Sequence, residues 1–347
     1  MRFLLGLTLL LSISSCKKDV PEAKTNEAPK TLFTLLEPKE SGLHFTNAIK
    51  NQKNFNIFKY RNFYNGGGVA IGDINNDGLP DIYSTGNMVA NKLFLNKGNL
   101  KFEDISERAG IEGNKPWSTG VVMVDINQDG LLDIYVSNAG NMEGNNHDND
   151  LYINNGDKSF TEESATWGIA DESLATHGVF FDYNNDGKLD LYLISNSLDE
   201  LSGFANATAD DRYEQGGKGS SKLYRNDGIR FTNVTREAGI YNSEIGFGLS
   251  ATASDVNRDG YTDLYVANDF IERDYLYINN GDGTFTEQLE QRIRSLSSSS
   301  MGSDISDVDN DGWPDIYVSD MLPFTEERLK SKMQINSWDE YKDFVDR

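Results

Sequence analysis

Between residues 33 and 320 the apolar positions fall in short runs, β-branched and aromatic, divided by polar stretches rich in Asp, Asn and Gly. Gly68-Val-Ala-Ile-Gly-Asp73 and Gly120-Val-Val-Met-Val-Asp125 lead into such stretches, and Asp-Ile-Tyr or Asp-Leu-Tyr leads out. Runs of this composition predict strands. A second pattern follows in the first four copies: Leu93-Phe-Leu-Asn96-Lys-Gly98 with Phe102, Leu151-Tyr-Ile-Asn154-Asn-Gly156 with Phe160, Leu223-Tyr-Arg-Asn226-Asp-Gly228 with Phe231, and Leu276-Tyr-Ile-Asn279-Asn-Gly281 with Phe285. Asn and Gly between alternating apolar residues predict a hairpin. Three units close on a Gly-Ile step, Gly110-Ile111, Gly168-Ile169 and Gly239-Ile240. Each unit thus predicts four short antiparallel strands. The units start 52, 57, 73 and 52 residues apart, a spacing of repeat architectures, and four-stranded units at that period predict an all-β protein built of β-propeller blades.

The polar stretch between the first two strands of each unit is one acidic loop in five copies: Asp73-Ile-Asn75-Asn-Asp77-Gly78-Leu-Pro-Asp81, Asp125-Ile-Asn127-Gln-Asp129-Gly130-Leu-Leu-Asp133, Asp182-Tyr-Asn184-Asn-Asp186-Gly187-Lys-Leu-Asp190, Asp255-Val-Asn257-Arg-Asp259-Gly260-Tyr-Thr-Asp263 and Asp307-Val-Asp309-Asn-Asp311-Gly312-Trp-Pro-Asp315. Oxygen side chains hold positions 1, 3, 5 and 9, and glycine always holds position 6. Two carboxylates about 4 Å apart near a surface repel by roughly 4 kcal/mol. A turn gathering three or four of them needs a cation. Calcium accepts six to eight hard oxygens in flexible geometry, whereas magnesium demands a stricter octahedron and keeps its waters, so this donor set favours about one Ca2+ per loop. Glycine permits the sharp turn. Position 7 is expected to give its backbone carbonyl, which allows Leu79, Leu131, Lys188, Tyr261 and Trp313 to differ so widely.

An EF-hand loop ends on a bidentate Glu at position 12 between two helices. Here position 12 is Ser84, Val136, Leu193, Val266 or Val318, and the flanks are strands. These units resemble the FG-GAP, or VCBS, repeat of calcium-binding β-propellers, a module also found in the integrin alpha head. Asn65-Gly-Gly-Gly-Val-Ala-Ile-Gly-Asp, Trp117-Ser-Thr-Gly and Ser319-Asp-Met-Leu-Pro323 resemble more narrowly the bacterial VCBS proteins that carry an ASPIC/UnbV domain. The resemblance implies a ring of about seven blades, within the range of closed propellers. Only five loops and four complete units are visible, so the chain is expected to be part of a larger ring. Residues 33–43 are expected to supply an orphan fourth strand and its Gly step, and residues 321–347 to be helix-like.

The amino terminus gives an address. Met1-Arg2 and the apolar Phe3 to Ile13 form a stretch too short to span a membrane, ending at Ile13-Ser14-Ser15-Cys16. Small residues before the only cysteine are what a bacterial lipoprotein signal looks like, with Cys16 lipidated and residues 1–16 removed or modified. Residues 17–32 read as a tether leading to the repeats at 33–320. The expected location is the bacterial cell envelope, with membrane contact through the lipid alone.

The net charge of -23 needs one correction, because sixteen of the fifty-five acidic residues lie in the loops. No basic patch or phosphate-binding Gly-rich loop argues for nucleic acid, and none is expected as a partner. His44, His147 and His177 stand apart from any nucleophile elbow, and His177 reads as a packed strand residue. Tyr83, Tyr135, Tyr192, Tyr265 and Tyr317 recur at one repeat position and read as blade core. The unequal connections, 85–91, 138–150, 196–221 and 268–274, fall on the face opposite the acidic loops, where a protein or glycan ligand is expected to bind. The expected function is a calcium-stabilised binding or adhesion module. An enzyme or accessory of polysaccharide breakdown, and a scaffold for a further domain, are the alternatives.

Overall fold

A computed structural model describes residues 32–140, 147–196, 209–213, 216–217, 219–270, 272–297, 299–321 and 325–327. Cys16, the tether to residue 31, Leu198, Leu201 and Phe204 lie outside them, as does the helix-like tail apart from residues 325–327. Residues 38–347 form one compact unit. Among the described residues no helix is long and apolar enough to cross a membrane.

The first unit is the sheet β1 (Val69–Gly72), β2 (Asp81–Ser84), β3 (Lys92–Asn96), β4 (Phe102–Asp104), paired in that order. The second is β5 (Ser118–Val124) through β6 (Asp133–Asn138) and β7 (Asp150–Asn154) to β8 (Phe160–Glu162). The third runs β9 (Ala175–Phe181), β10 (Asp190–Ser195), β11 (Lys222–Asn226), β12 (Phe231–Asn233), and the fourth β13 (Gly248–Ser254), β14 (Asp263–Asn268), β15 (Tyr275–Asn279), β16 (Phe285–Glu287). All pairs are antiparallel, and the register repeats: Tyr83, Tyr135, Tyr192 and Tyr265 lie opposite Leu93, Leu151, Leu223 and Leu276. The predicted all-β architecture of four-stranded blades is therefore the observed one.

The core lies between consecutive blades. Tyr83 and Leu93 pack with Ile134, Val136 and Tyr152 of the next unit, and Tyr135 and Leu151 with Leu191, Leu193 and Phe231 of the one after. Tyr192 and Leu223 meet Leu264, Val266 and Tyr277, while Tyr265 and Leu276 meet Ile305, Ile316 and Val318. Full burial of one such side chain contributes about 1.5–3 kcal/mol, so each blade is stable only against its neighbours. Tyr317 corrects the expectation for its repeat position. The fifth unit is a two-stranded sheet, β17 (Ser300–Ser306) and β18 (Asp315–Asp320), and without a third strand or a sixth sheet against it Tyr317 is 68% exposed among the described residues.

The orphan strand is a second correction. Residues 32–37 carry no strand, because no third strand lies beside them among the described residues to complete a ladder. The Gly step does exist. A helical turn at Pro38–Ser41 precedes Gly42, as Ser106–Ala109 precedes Gly110 and Ser164–Trp167 precedes Gly168. These glycines sit at φ 85, 73 and 74, and a Cβ on Gly42 would strike the Phe102 carbonyl, as one on Gly168 would press on that of Phe231.

Candidate metal centres

The acidic loops join β1 to β2, β5 to β6, β9 to β10, β13 to β14 and β17 to β18, and all five have one internal hydrogen-bond pattern. The position 1 carboxylate takes the N–H of position 5 on one oxygen, at 3.1 Å in every copy, and the N–H of glycine 6 on the other, at 2.7–2.9 Å. The oxygens of Asn75, Asn127, Asn184, Asn257 and Asp309 accept the same position 5 N–H at 2.9–3.2 Å. The position 5 carboxylates accept from the N–H of Leu79, Leu131, Lys188, Tyr261 and Trp313. Gly78, Gly130, Gly187, Gly260 and Gly312 have φ between 83 and 89, the left-handed region where any other residue is strained.

The position 9 aspartate closes the ring. One oxygen of Asp81, Asp133, Asp190, Asp263 and Asp315 accepts the N–H of position 2 at 3.0–3.1 Å. In the four complete units the other oxygen accepts the N–H of the hairpin residue Asn96, Asn154, Asn226 or Asn279 at 2.7–2.8 Å. Asp81, Asp133, Asp190 and Asp263 are fully buried. Burial, with repulsion from the carboxylates at positions 1 and 5, pushes Asp133 up to about 6 and Asp190 to about 7, and raises Asp81 and Asp263. Among the described residues Asp315 has no such hairpin partner.

These residues fit a hard cation. In each loop the oxygens of positions 1 and 3 meet on the same position 5 N–H, no basic residue stands at positions 1, 3, 5 or 9, and an oxygen holding one backbone N–H has a second lone pair to give. In the fifth loop, where Asp309 replaces the usual Asn, Asp307, Asp309 and Asp315 bring carboxylate oxygens within 4.8 Å of one another. The third loop differs: the Lys188 ammonium lies 2.9 Å from Asp186.

Position 4 has a place in the structure that its own loop does not announce. Asn76, Gln128, Asn185, Arg258 and Asn310 have φ of 57–63, and the first three side chains leave their own loop for the next. A polar residue at position 4 in five of five copies was the available signal.

At the opposite end of the blades the structure is irregular. Phe55, Tyr60 and Phe63, from a segment with no predicted role, pack on Trp117 with ring centroids 5.0–5.6 Å apart. Beside them, at the starts of β5 and β9, is a cavity of about 350 Å³ lined by Tyr60, Asn62, Asn65, Thr119, Thr176 and His177 among others. His177 lies in β9 as predicted, and burial lowers its pKa. Among the described residues no carboxylate or hydroxyl is hydrogen-bonded to it. Asp171 is buried with the Lys222 ammonium at 2.6 Å and the Tyr224 hydroxyl; burial opposes its ionisation, but Lys222 and its hydrogen bonds hold it below the usual carboxylate range. His147 is half-buried. In the connection 196–221, Arg212 pairs with Glu272 at 2.7 Å and Tyr213 meets the edge of Tyr241.

Four-stranded antiparallel units, each opened by one Asp/Asn/Gly loop, define a class of blade-repeat proteins. Residues 73–136, 139–193 and 255–318 match the FG-GAP-like repeat, and the chain belongs to that family. It is similar to cartilage acidic protein 1 of Xenopus tropicalis, 33% identical over 132 residues that make up 38% of this chain and 20% of that protein. The same protein of Homo sapiens is 36% identical over 76 residues, 22% of this chain and 12% of that one. The matched stretch thus spans a fifth or less of these curated relatives. Among solved structures, an Agrocybe aegerita lectin specific for non-reducing terminal N-acetylglucosamine aligns at TM-score 0.38 and 17% identity, covering 71% of this chain and 59% of its own. The V. cholerae biofilm matrix protein Bap1 aligns at TM-score 0.38 and 12% identity, covering 73% and 35%.

Proposed function

We propose that this chain is a calcium-braced binding module of the bacterial cell envelope, tethered through a lipid on Cys16, whose protein or glycan ligand meets the face opposite the acidic loops. The observation that carries the calcium reading is the repetition of one oxygen-lined ring, with the same internal hydrogen bonds, in all five loops. In each, the side chains at positions 1, 3, 5 and 9 and the carbonyl of position 7 would hold the ion. The bound cation supplies the positive charge that offsets carboxylate repulsion. Hydrogen bonds from glycine 6 and positions 2, 5 and 7 aim the carboxylates into the ring. The role is structural: each loop ties the first two strands of a blade.

The ligand reading is supported by the shape of the other face. It has the cavity whose lining includes Asn62, Asn65, Thr119 and Thr176, and the unequal connections. Uncharged amides and hydroxyls beside Tyr60 suit a neutral polar ligand such as a sugar hydroxyl array or a peptide backbone. Calorimetric titration with calcium, run with a glycan and protein array in calcium and in chelator, tests both parts. Uptake of several calcium ions and array binding reduced by Asn65→Ala are expected. A chain that takes up no calcium contradicts the first part, and turnover of a bound glycan would replace the binding module with an enzyme of polysaccharide breakdown. Radiolabelled palmitate incorporation abolished by Cys16→Ser tests the anchor.

A further inference from the structure

Position 4 has no task inside its own loop, yet at every junction it reaches the next loop. The Asn76 amide donates to the Gly130 carbonyl at 2.9 Å, Gln128 to that of Gly187 at 2.5 Å, and Asn185 to that of Gly260 at 3.1 Å. At the fourth junction the Arg258 guanidinium lies over the ring of Trp313, 5.0 Å from its centroid. Each contact therefore lands on position 6 or 7 of the following loop. A second strap runs backwards. The side-chain amide of Asn154 donates to the Ile74 carbonyl at 2.8 Å and to the Leu132 carbonyl at 3.0 Å, so it holds position 2 of the preceding loop and position 8 of its own. Asn226 repeats this with Ile126 and Leu189, and Asn279 with Tyr183 and Thr262.

We infer that these straps couple neighbouring calcium loops, so that filling one loop raises the affinity of the next; the inference rests on the calcium reading above. The landing points carry the argument. The glycine 6 carbonyl belongs to the peptide entering position 7, and the position 2 carbonyl to the peptide between the oxygens of positions 1 and 3. Both peptides must be fixed for a loop to close around an ion. A loop already ordered offers its neighbour fixed partners, and the neighbour then loses less conformational freedom on binding. Such coupling is reciprocal, so the loops fill as a connected series rather than as five separate sites. Position 4 is a positioning residue: its side chain leaves the ring and touches no proposed ligand atom of its own loop.

Substitution by glycine at position 4 removes the strap while keeping the left-handed backbone, and it leaves the buried hairpin asparagines intact. The test is a calcium titration of the apo chain by calorimetry, comparing the parent with an Asn76→Gly, Gln128→Gly, Asn185→Gly, Arg258→Gly variant and with Asn310→Gly, whose position has no following loop among the described residues. The parent is expected to bind with a Hill coefficient above one. The fourfold variant should keep the same number of ions, with the coefficient falling toward one as only the hairpin straps remain and the midpoint rising about three- to tenfold, while Asn310→Gly behaves as the parent. A fourfold variant whose isotherm superposes on the parent's overturns the coupling through position 4. Parent binding with the full number of ions and no cooperativity overturns it too, and leaves the calcium reading standing; a parent that binds no calcium removes both.

Discussion

At the loop end of the blades one set of hydrogen bonds recurs five times with distances that agree within a few tenths of an ångström, whereas at the other end each unit finds its own solution. The contrast is clearest at the residue that satisfies the end of the second strand. Its task is constant, to accept the N–H of Gly86, Asn138, Ser195 or Asn268, but the acceptor is Asn91, Asn149, Ser221 and Asp274 in turn. Each acidic loop is shaped by contacts within its own nine residues, and the straps between loops repeat one pattern. The opposite end is held by packing and buried pairs between distant segments, such as Asn47 with Asn87 and Asp171 with Lys222. A face built from one local rule suits a brace; a face whose rule changes from unit to unit can be fitted to a particular ligand.

If the two ends differ in this way, damage to them should respond differently to calcium. Trp117→Ala empties the aromatic cluster under Phe55, Tyr60 and Phe63, a site only 1% exposed. It should cost about 3–5 kcal/mol in calcium and in chelator alike, read by denaturant melts under both conditions. Asp186→Ala should instead remove one ion from the calorimetric stoichiometry and cost about 1.5–3 kcal/mol only when calcium is present at 10 to 100 times its dissociation constant. In chelator the same variant should lose only the Lys188 ion pair and the Lys188 N–H bond, about 1 kcal/mol or less.

Proton linkage sharpens the comparison further. Burial raises Asp133 to about 6 and Asp190 to about 7 in the ion-free loops, above the unfolded value of 3.8. The folded chain therefore binds more protons than the unfolded chain between these values. The stability this gives is fully present below pH ~4 and is lost as pH rises through ~6 to 7. From these groups, melting in chelator should move upward as pH drops from ~8 to ~5, while calcium affinity should fall over the same range because the ion must displace those protons. Affinity that does not change with pH would contradict the assignment of the position 9 aspartates as ligands. The smallest expected effect is at Lys188, paired with Asp186 in the third loop. Lys188→Leu should raise the calcium affinity of that loop about two- to fivefold, the size of an exposed ion pair.

The same contrast explains what could be read in advance. The loop, its flanking strands, the hairpin and the shared face are all fixed by residues close together in the chain, so Asp73 to Asp81 and its four copies were legible as they stand. The segment around Phe55 to Asn65 has no repeat and no period, and its partner Trp117 is more than fifty residues away. Nothing local marks it. Position 4 was hidden for a related reason: Asn76 looks like a solvated loop residue until the glycine of the next unit is brought beside it. Tyr317 misled in the opposite direction. The repeat rule places its equivalents in the core, but what buries Tyr83 or Tyr135 is the third strand and the blade beyond, and unit five has neither among the described residues.

If the acidic loops are calcium clasps on which the blades depend, thermal melting must differ between calcium and excess chelator. Several sites, each adding about 1.5–3 kcal/mol in millimolar calcium, should raise the melting temperature by on the order of 10–20 °C, and the gain should be reversed by chelation. A melting temperature that is the same in calcium and in excess chelator would contradict the claim.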